Sequence, residues 1–390
     1  MERKKIKILY TGGTIGSELS ETQVFLPGEG LENLLKDDIE ELKDRDPEFD
    51  SRQEYIPEYD FERLPELLDS SNIGPKEWNI IAEAIEPVLI GNEANLYDGI
   101  LILHGTDTMA YTASALSFML EGLQHCKKNV VVTGSQIPYY KVRTDARDQI
   151  VSAMILTAHG NIPEVVLYFD KKALRGCRSI KYDSWGLGAF SSPGFPVLGT
   201  FGIEFSEDQN IKIARSKDLI NLRSGFHKTR IHYLYENTTA SKIGVIKMFP
   251  GMNPDSLWAF AERYDAIIIE GFGSGNGPTS GSDNQFLKAF RRIAEFKIVL
   301  VLTQCPKGFV SEAYGSGLTI AGGVNGRDMT TEAALAKMHY LFSKREKQDW
   351  SNDEIKKRLV RNTVGELTPE PDKNSNDVPK PIFISNIIYQ

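Results

Sequence analysis

The sequence predicts an α/β protein of two domains, a larger N-terminal domain on a mostly parallel sheet and a smaller C-terminal α/β domain. Three observations carry that prediction. The chain has 390 residues, more than one typical domain holds. Short, continuously apolar runs alternate with segments of helical period, the pattern of strands buried on both faces beneath helices. Several of these runs end in polar, glycine-containing turns, so hydroxyls and carboxylates collect along the carboxyl ends of the strands, where open α/β sheets hold ligands.

The first strand lies in Ile6–Gly16, I-K-I-L-Y-T-G-G-T-I-G, and runs into a turn that carries Thr14. Ser17–Gly30 is a polar loop with Phe25-Leu26-Pro27 in its middle, and its length and place suit a lid. Residues 31–50 are acidic and helix-like, with Leu31, Leu34, Leu35 and Ile39 on one face. Tyr55–Asp60 is extended, and Leu67–Asn72 offers another polar turn. Pro75 opens a helix whose Trp78, Ile81, Ile85 and Val88 face the core.

Asp98–Leu103 is the next strand, followed by the Thr106-Asp107-Thr108 turn and a helix over Met109–Leu120. Asn129–Thr133 and Glu164–Phe169 are further strands, with a helix near Arg147–His159 between them. T-G-S-Q at 133–136 adds one more polar strand end to the same rim. Lys171–Tyr182 is basic and contains Arg175, Arg178 and Lys181; a stretch rich in glycine, proline and phenylalanine over 185–200 closes the first domain.

Residues 1–200 thus form the N-terminal domain, and 201–240, polar and without period, read as an extended linker. The second domain, 241–367, repeats the alternation with strands at Ile243–Met248, Ala266–Glu270 and Ile298–Thr303. Helices fall around Asp255–Arg263 and 283–296, a glycine-rich turn at Gly271–Gly277, and closing helices between 330 and 363. The tail, 368–390, is proline-rich and polar until an apolar end at Ile382–Tyr389.

Composition narrows the function. With 41% apolar and 25% charged residues the chain has ample material for a core. A formal charge of −8 argues against nucleic-acid or anionic-membrane partners. Three scattered cysteines, Cys126, Cys177 and Cys305, make neither a disulfide framework nor a zinc site and read as free thiols in a reducing compartment. No secretory signal or membrane-spanning run is visible, so a cytoplasmic address is expected.

Two strand-end turns, each offering a threonine, are the chemistry-bearing feature. A threonine hydroxyl is a weak nucleophile and needs a base or a charge beside it. A lysine in a low-dielectric site, oriented by an aspartate, serves that purpose, and Lys181 is available, although spacing alone does not single it out. Glycines at 12, 13 and 105 leave backbone N–H groups free to receive an oxyanion. His104 reads as a buried structural histidine. The residues alone therefore leave two readings open: acyl transfer by a threonine nucleophile, or a Thr106-Asp107-Thr108 turn that merely caps a helix. T-G-G-T-I-G fits neither a phosphate-binding loop with its lysine nor a dinucleotide fingerprint.

Y-T-G-G-T-I-G at 10–16 and L-H-G-T-D-T-M-A-Y-T at 103–112 resemble the two signature segments of bacterial-type asparaginases. D-S-S-N at 69–72, T-G-S-Q-I-P at 133–138, R-G-C-R at 175–178, L-T-Q-C at 302–305 and G-E-L-T-P at 365–369 are similar to the cytoplasmic type I branch, in order, from about residue 5 to 369. The resemblance implies hydrolysis of L-asparagine to L-aspartate and ammonia, with no metal or cofactor. It implies Thr14 as the acylated nucleophile, Thr106, Asp107 and Lys181 as a Thr–Lys–Asp relay, and Asp69, Ser70 and Ser71, with Thr106 and Asp107, as the substrate-binding set. A homodimer or homotetramer with a small-molecule substrate follows, and Gly273–Gly277 is a candidate for reaching a neighbour's site.

Two departures stand out. The family's lid has a tyrosine before I-P or L-P, where this chain has Phe25 in F-L-P; slower acylation is expected unless Tyr10 or another tyrosine substitutes. The arginine of the type I effector segment R-S-Y-G is replaced by Glu270 in E-G-F-G, a charge reversal that speaks against activation by asparagine, although Cys305 is kept. Alternative readings on the same fold are the asparaginase-like subunit of a tRNA-dependent amidotransferase, disfavoured because that subunit is expected to carry an extra N-terminal domain, and a non-catalytic amino-acid sensor, disfavoured because both threonines, Asp107 and Lys181 are present.

Overall fold

A computed structural model describes residues 4–19, 25–28, 30–45, 56–202, 205–207, 228–235, 242–281, 284–312 and 315–368. The chain divides into two compact units, Met1–Ser192 with Pro196–Leu234, and Pro193–Phe195 with Tyr235–Gln390. In the first unit the strands are β1 (Lys5–Gly12), β2 (Ser17–Leu19), β3 (Phe25–Pro27), β4 (Glu58–Leu68), β5 (Gly99–Leu103), β6 (Leu120–Glu121), β7 (Asn129–Thr133), β8 (Val165–Phe169), β9 (Lys172–Arg175), β10 (Ile180–Lys181), β11 (Phe190–Ser191), β12 (Gly199–Phe201), β13 (Phe205–Glu207) and β14 (Arg230–Ile231). The helices are α1 (Leu31–Arg45), α2 (Pro75–Leu89), α3 (Met109–Met119) and α4 (Ala146–His159).

Eight strands form the main sheet in the order β13-β12-β9-β8-β7-β5-β1-β4. From β8 to β4 every pairing is parallel. After β1 the chain crosses to β4 on one side and then returns to β5 on the other, so the strand order reverses between β1 and β5. Crossovers leave in opposite directions there and open a crevice at the carboxyl ends. Tyr10 pairs with Leu103, and Leu103 with Thr133, so the three strands end nearly level and their turns share one rim.

Beyond β8 the sheet turns antiparallel, the smaller part of a mostly parallel sheet. The cause is a two-residue connection, Asp170-Lys171, with φ of 46° and 63°. Two successive left-handed residues make a hairpin turn whose twist suits antiparallel neighbours. The basic stretch that follows becomes β9, and β12 and β13 extend the same edge.

Helix α2 illustrates how packing overrides propensity. Trp78, Ile81, Ile85 and Val88 are all buried as the 3–4 spacing requires. Glu77 reaches back to accept from the Gly74 N–H at 2.9 Å and closes the first turn. Pro87 lies inside the helix, where proline costs about 3 kcal/mol, but each buried side chain contributes about 1.5–3 kcal/mol. Burial wins. In α1, Leu31, Leu35 and Ile39 are buried but Leu34 is 39% exposed, a correction to the four-residue face. Successive i+4 steps keep the first three in one stripe, whereas Leu34 falls about 100° from its centre.

Of 201–240, the described residues include paired strands, the end of β12 and β13 in the main sheet and β14 against β6, with residues 202, 228–229 and 232–235 outside strands. Runs of two or three residues are too short to show a period, and nothing in the residue pattern signals these pairings. Residues 203–204, 208–227 and 236–241 lie outside the described residues, as does the tail from 369 to 390.

In the second unit, β15 (Ile243–Lys247), β16 (Ala266–Gly271), β17 (Ile298–Thr303) and β18 (Val324–Asn325) form a parallel sheet in that order. Around it stand α5 (Pro254–Ala261), α6 (Gln285–Phe296), α7 (Thr331–Gln348) and α8 (Asn352–Leu359). Its core joins Ile267 and Ile269 of β16, Val299 and Val301 of β17, Leu257 of α5, and Phe290 and Ile293 of α6. Lys337 of α7 is fully buried and donates to Glu366, to Leu359 O and to Arg361 O, tying the segment after α8 to α7. Among the described residues no helix is long and apolar enough to cross a membrane.

Candidate active site

Three turns meet where the strand order reverses. The first follows β1 and passes through Gly13 (φ 91°) into a single helical turn, Thr14–Gly16. The second follows β4: Asp69 caps the turn Ser70–Asn72, its carboxylate accepting from the Ser71 N–H at 3.0 Å. The third follows β5 and carries His104, Gly105, Thr106, Asp107 and Thr108 into α3.

These turns touch at the limit of atomic size. A methyl group on Gly13 would lie 2.2 Å from the Gly105 Cα, and one on Gly105 would lie 2.5 Å from the Ser70 Oγ. Only glycine allows both approaches. Side chains pin the arrangement: Thr11 Oγ1 donates to Leu103 O at 3.0 Å, and Thr108 Oγ1 to Ser70 O at 2.6 Å.

His104 is fully buried beneath the third turn. Its Nδ1–H donates to Gly105 O at 2.6 Å, which leaves Nε2 to accept from Thr112 Oγ1 at 2.9 Å. Burial pushes its pKa down to about 4, so the ring is neutral and structural, as the sequence suggests.

Lys181 reaches this rim from β10, paired antiparallel with β11. A buried ion pair, Arg175 Nε to Glu164 at 2.7 Å, anchors the start of the segment, and Ser179 Oγ donates to Arg175 O at 2.8 Å to close its turn. The Lys181 ammonium donates to Thr106 Oγ1 and to Asp107 Oδ1, both at 2.8 Å. Thr106 is buried, Lys181 largely so, and the Asp107 side chain is 62% exposed. The positive charge is therefore held between a carboxylate open to solvent and a hydroxyl shielded from it.

The structure thus brings Thr106, Asp107 and Lys181 into direct contact and sets Thr14, partly exposed, on the facing turn. Asp69 and Ser71 are exposed at the rim, whereas Ser70 is buried against Gly105 and receives Thr108 on its carbonyl. Among the described residues no group of three or more His, Cys, Asp or Glu side chains is placed to hold a metal ion.

Gln136 is a member that the sequence showed only as part of a polar strand end. Its Oε1 lies 3.5 Å from Thr106 Oγ1, a weak contact, and its amide N–H donates to Gly186 O at 3.1 Å. Asp145 holds the Gln136 and Ile137 N–H groups with its two oxygens, at 3.0 and 2.9 Å. One aspartate ahead of a helix gave no signal of that role.

Phe25 pairs through its backbone with Leu19, and its side chain lies outside the described residues. Tyr10 is 1% exposed, its hydroxyl packed against Gly16 with no hydrogen-bond partner among the described residues. Burial, and then the charge of Glu18, hold its phenol well above the ordinary range, so Tyr10 is a neutral group in the core. In the second unit Glu270 accepts from Thr331 Oγ1 at 2.6 Å at the start of α7, so the reversed charge is engaged by that helix.

A hydroxyl gripped by a lysine–aspartate pair, on a turn packed against the turn of a second threonine at a sheet switch point, is an arrangement that can serve chemistry through an oxygen nucleophile. The family comparison is specific. Residues 5–217 match the model of the asparaginase N-terminal domain, and 242–357 that of the glutaminase/asparaginase C-terminal domain. The chain belongs to the asparaginase family. L-asparaginase 1 of Escherichia coli K12 is 37% identical over 376 residues, covering 95% of this chain and all of that one. The crystal structure of L-asparaginase I from Vibrio cholerae has a TM-score of 0.76 and 37% identity, covering 94% of this chain and 99% of its own. More distant is a glutamyl-tRNA(Gln) amidotransferase component from Methanopyrus kandleri, 30% identical over 93% of this chain and 74% of its own.

Proposed function

We propose that this protein is an L-asparaginase that hydrolyses L-asparagine to L-aspartate and ammonia through an acyl-enzyme on Thr14. The observation that carries the reading is the Lys181 ammonium held at 2.8 Å from both Thr106 and Asp107, on the turn that faces Thr14 across the Gly13–Gly105 contact. Asp69 and Ser71, open at the rim, suit the substrate's α-ammonium and α-carboxylate, respectively.

Thr14 Oγ adds to the side-chain amide carbon, and backbone N–H groups at the glycine turns take the developing oxyanion. The threonine proton passes to the amide nitrogen as the C–N bond breaks, and ammonia leaves. Water then adds to the ester, with Thr106, held by Lys181 and Asp107, relaying its proton. Thr14 departs with that proton, and aspartate is released. Thr14 is the nucleophile and Thr106, Asp107 and Lys181 are the relay in this scheme. We assign the protein to the cytoplasm and to a homodimer or homotetramer, as the resemblance implies.

The test is ammonia release from L-asparagine and L-glutamine by the wild type beside Thr14→Ala. Turnover of asparagine that falls by about 10³-fold or more in the variant supports the reading, since the scheme places the acyl-enzyme on the Thr14 hydroxyl that alanine lacks. No turnover by the wild type would turn attention to an enzyme that delivers ammonia only with a partner.

A further inference from the structure

Each carbonyl of the nucleophile turn is pinned. Gly13 O accepts from Ser17 Oγ at 2.9 Å, Thr14 O from the Ser17 N–H, and Gly16 O from the Gly28 N–H at 2.9 Å. Ile15 O accepts from the Tyr139 N–H at 2.9 Å. Of these four bonds only the last comes from outside residues 13–28. It ties the nucleophile turn to the loop between β7 and α4.

That loop is also the one that reaches Thr106. It is stiff along its length: Ser135 Oγ and Thr144 Oγ1 both donate to Ile137 O, at 2.7 and 3.0 Å, and Asp145 holds the Gln136 and Ile137 N–H groups. Gln136 at its start touches Thr106, and Tyr139 three residues on touches the Thr14 turn. The loop is a ruler between the two threonines.

Its far end is anchored on α1. Tyr139 is 2% exposed, and its hydroxyl donates to Asp38 Oδ2 at 2.8 Å. Arg147 of α4 donates from Nε to the same oxygen at 2.7 Å, with its guanidinium 5.2 Å from the centre of the Tyr139 ring. The tyrosine is thus fixed at both ends, backbone on Ile15 and hydroxyl on Asp38. A ring with two torsions transmits a shift at one end to the other.

We propose that Asp38 and Tyr139 are positioning residues for the reaction: by holding the Tyr139 hydroxyl, the Asp38 carboxylate keeps the Tyr139 N–H on Ile15 O and so sets where Thr14 stands relative to Thr106. The inference rests on the reading of Thr14 as nucleophile. Neither residue touches substrate; both act through the turn. A displacement of the nucleophile by a fraction of an ångström lowers the chemical step without weakening substrate binding in proportion.

The experiment compares Tyr139→Phe, Asp38→Ala and their double variant by steady-state ammonia release, with thermal stability recorded alongside. Each single change is expected to lower kcat about tenfold with KM within about twofold of wild type. The double variant should be no worse than either single, because both remove one bond. Asp38→Asn, which keeps an oxygen for the Tyr139 hydroxyl, should recover most of the loss. Amide hydrogen exchange in the peptide spanning 12–19 should quicken in Tyr139→Phe at a temperature where the protein is folded.

A Tyr139→Phe enzyme with wild-type kcat and a lowered melting temperature would reduce the contact to packing and overturn the proposal. Multiplying losses in the double variant, or unchanged exchange in 12–19, would do the same. If the wild type releases no ammonia, the proposed function fails instead, and the exchange result alone decides whether the tyrosine holds the turn.

Discussion

At the level of single residues, the site depends on two glycines that act by what they lack. A methyl group at residue 105 meets the Ser70 side chain at 2.5 Å (Oγ) and 2.7 Å (Cβ) and backbone only at 3.1 Å, whereas a methyl at residue 13 meets backbone of Gly105 at 2.2 Å and sits on a residue with φ of 91°. Backbone cannot turn aside, and left-handed φ adds its own strain. Gly105→Ala is therefore expected to cost about 1–3 kcal/mol and leave measurable turnover, and Gly13→Ala to cost more and leave none. Melting temperatures and kcat/KM of the two variants check the ranking; equal tolerance would mean that the three turns have more freedom than their spacing allows. Phe25 belongs at this scale too. Tyr10 is a buried neutral phenol and a poor substitute for a lid hydroxyl. Phe25→Tyr is expected to raise kcat for asparagine by about a hundredfold, the lower end of general acid–base assistance, and an unchanged rate would show that Thr14 needs no phenol.

At the level of elements, stability in the second unit hangs on one buried charge. The Lys337 ammonium, with no exposure, is satisfied by Glu366, by the Leu359 carbonyl that ends α8 and by the Arg361 carbonyl just after it. Glu366 in turn accepts from the Thr363 and Val364 N–H groups. Removing the ammonium strands a buried carboxylate, at about 3–5 kcal/mol, so Lys337→Met should lower the second unit's transition sharply. A joint Lys337→Met, Glu366→Leu variant should recover part of it; a denaturant titration of both variants decides. Motifs of this kind show which elements sequence reveals. Helices such as α2 and strands such as β5 were legible because many residues vote for one period or one apolar run. The hairpin at Asp170-Lys171 was not, since two backbone angles decide it and neither residue is a turn-specific glycine. The site divides the same way. Thr14, Thr106 and Asp107 were visible as strand-end hydroxyls and a carboxylate, but Lys181 emerged only through resemblance, because its partners are 74 and 75 residues away. Gln136, Asp145 and Tyr139 act by where the β7–α4 loop places their amides and oxygens, which no residue type announces.

At the level of the whole molecule, two units imply two proton balances. His104 lies in the first unit and is held neutral, its pKa lowered from 6.5 to about 4. From pH 6.5 down to 4 the unfolded chain takes up a proton that the folded unit refuses, so stability rises with pH across that window and is lost as pH falls. In the second unit His339 behaves alike, lowered by burial to about 4, but Glu332 runs the other way. Burial raises its carboxyl from 4.5 to about 7, so between those values the folded unit keeps a proton that the unfolded chain has released, and stability falls as pH rises. The two contributions oppose each other between pH 4.5 and 6.5, one proton against one. Calorimetry from pH 4.5 to 6.5 should therefore show the first unit's transition climbing, by about 1.4 kcal/mol per pH unit at most, while these groups leave the second unit's nearly level. His104→Gln should flatten the first transition and leave the second where it was. If both transitions instead climb together and respond equally to that change, the two units unfold as one body, and the opposing charges of the second unit draw on a proton balance shared by the whole chain.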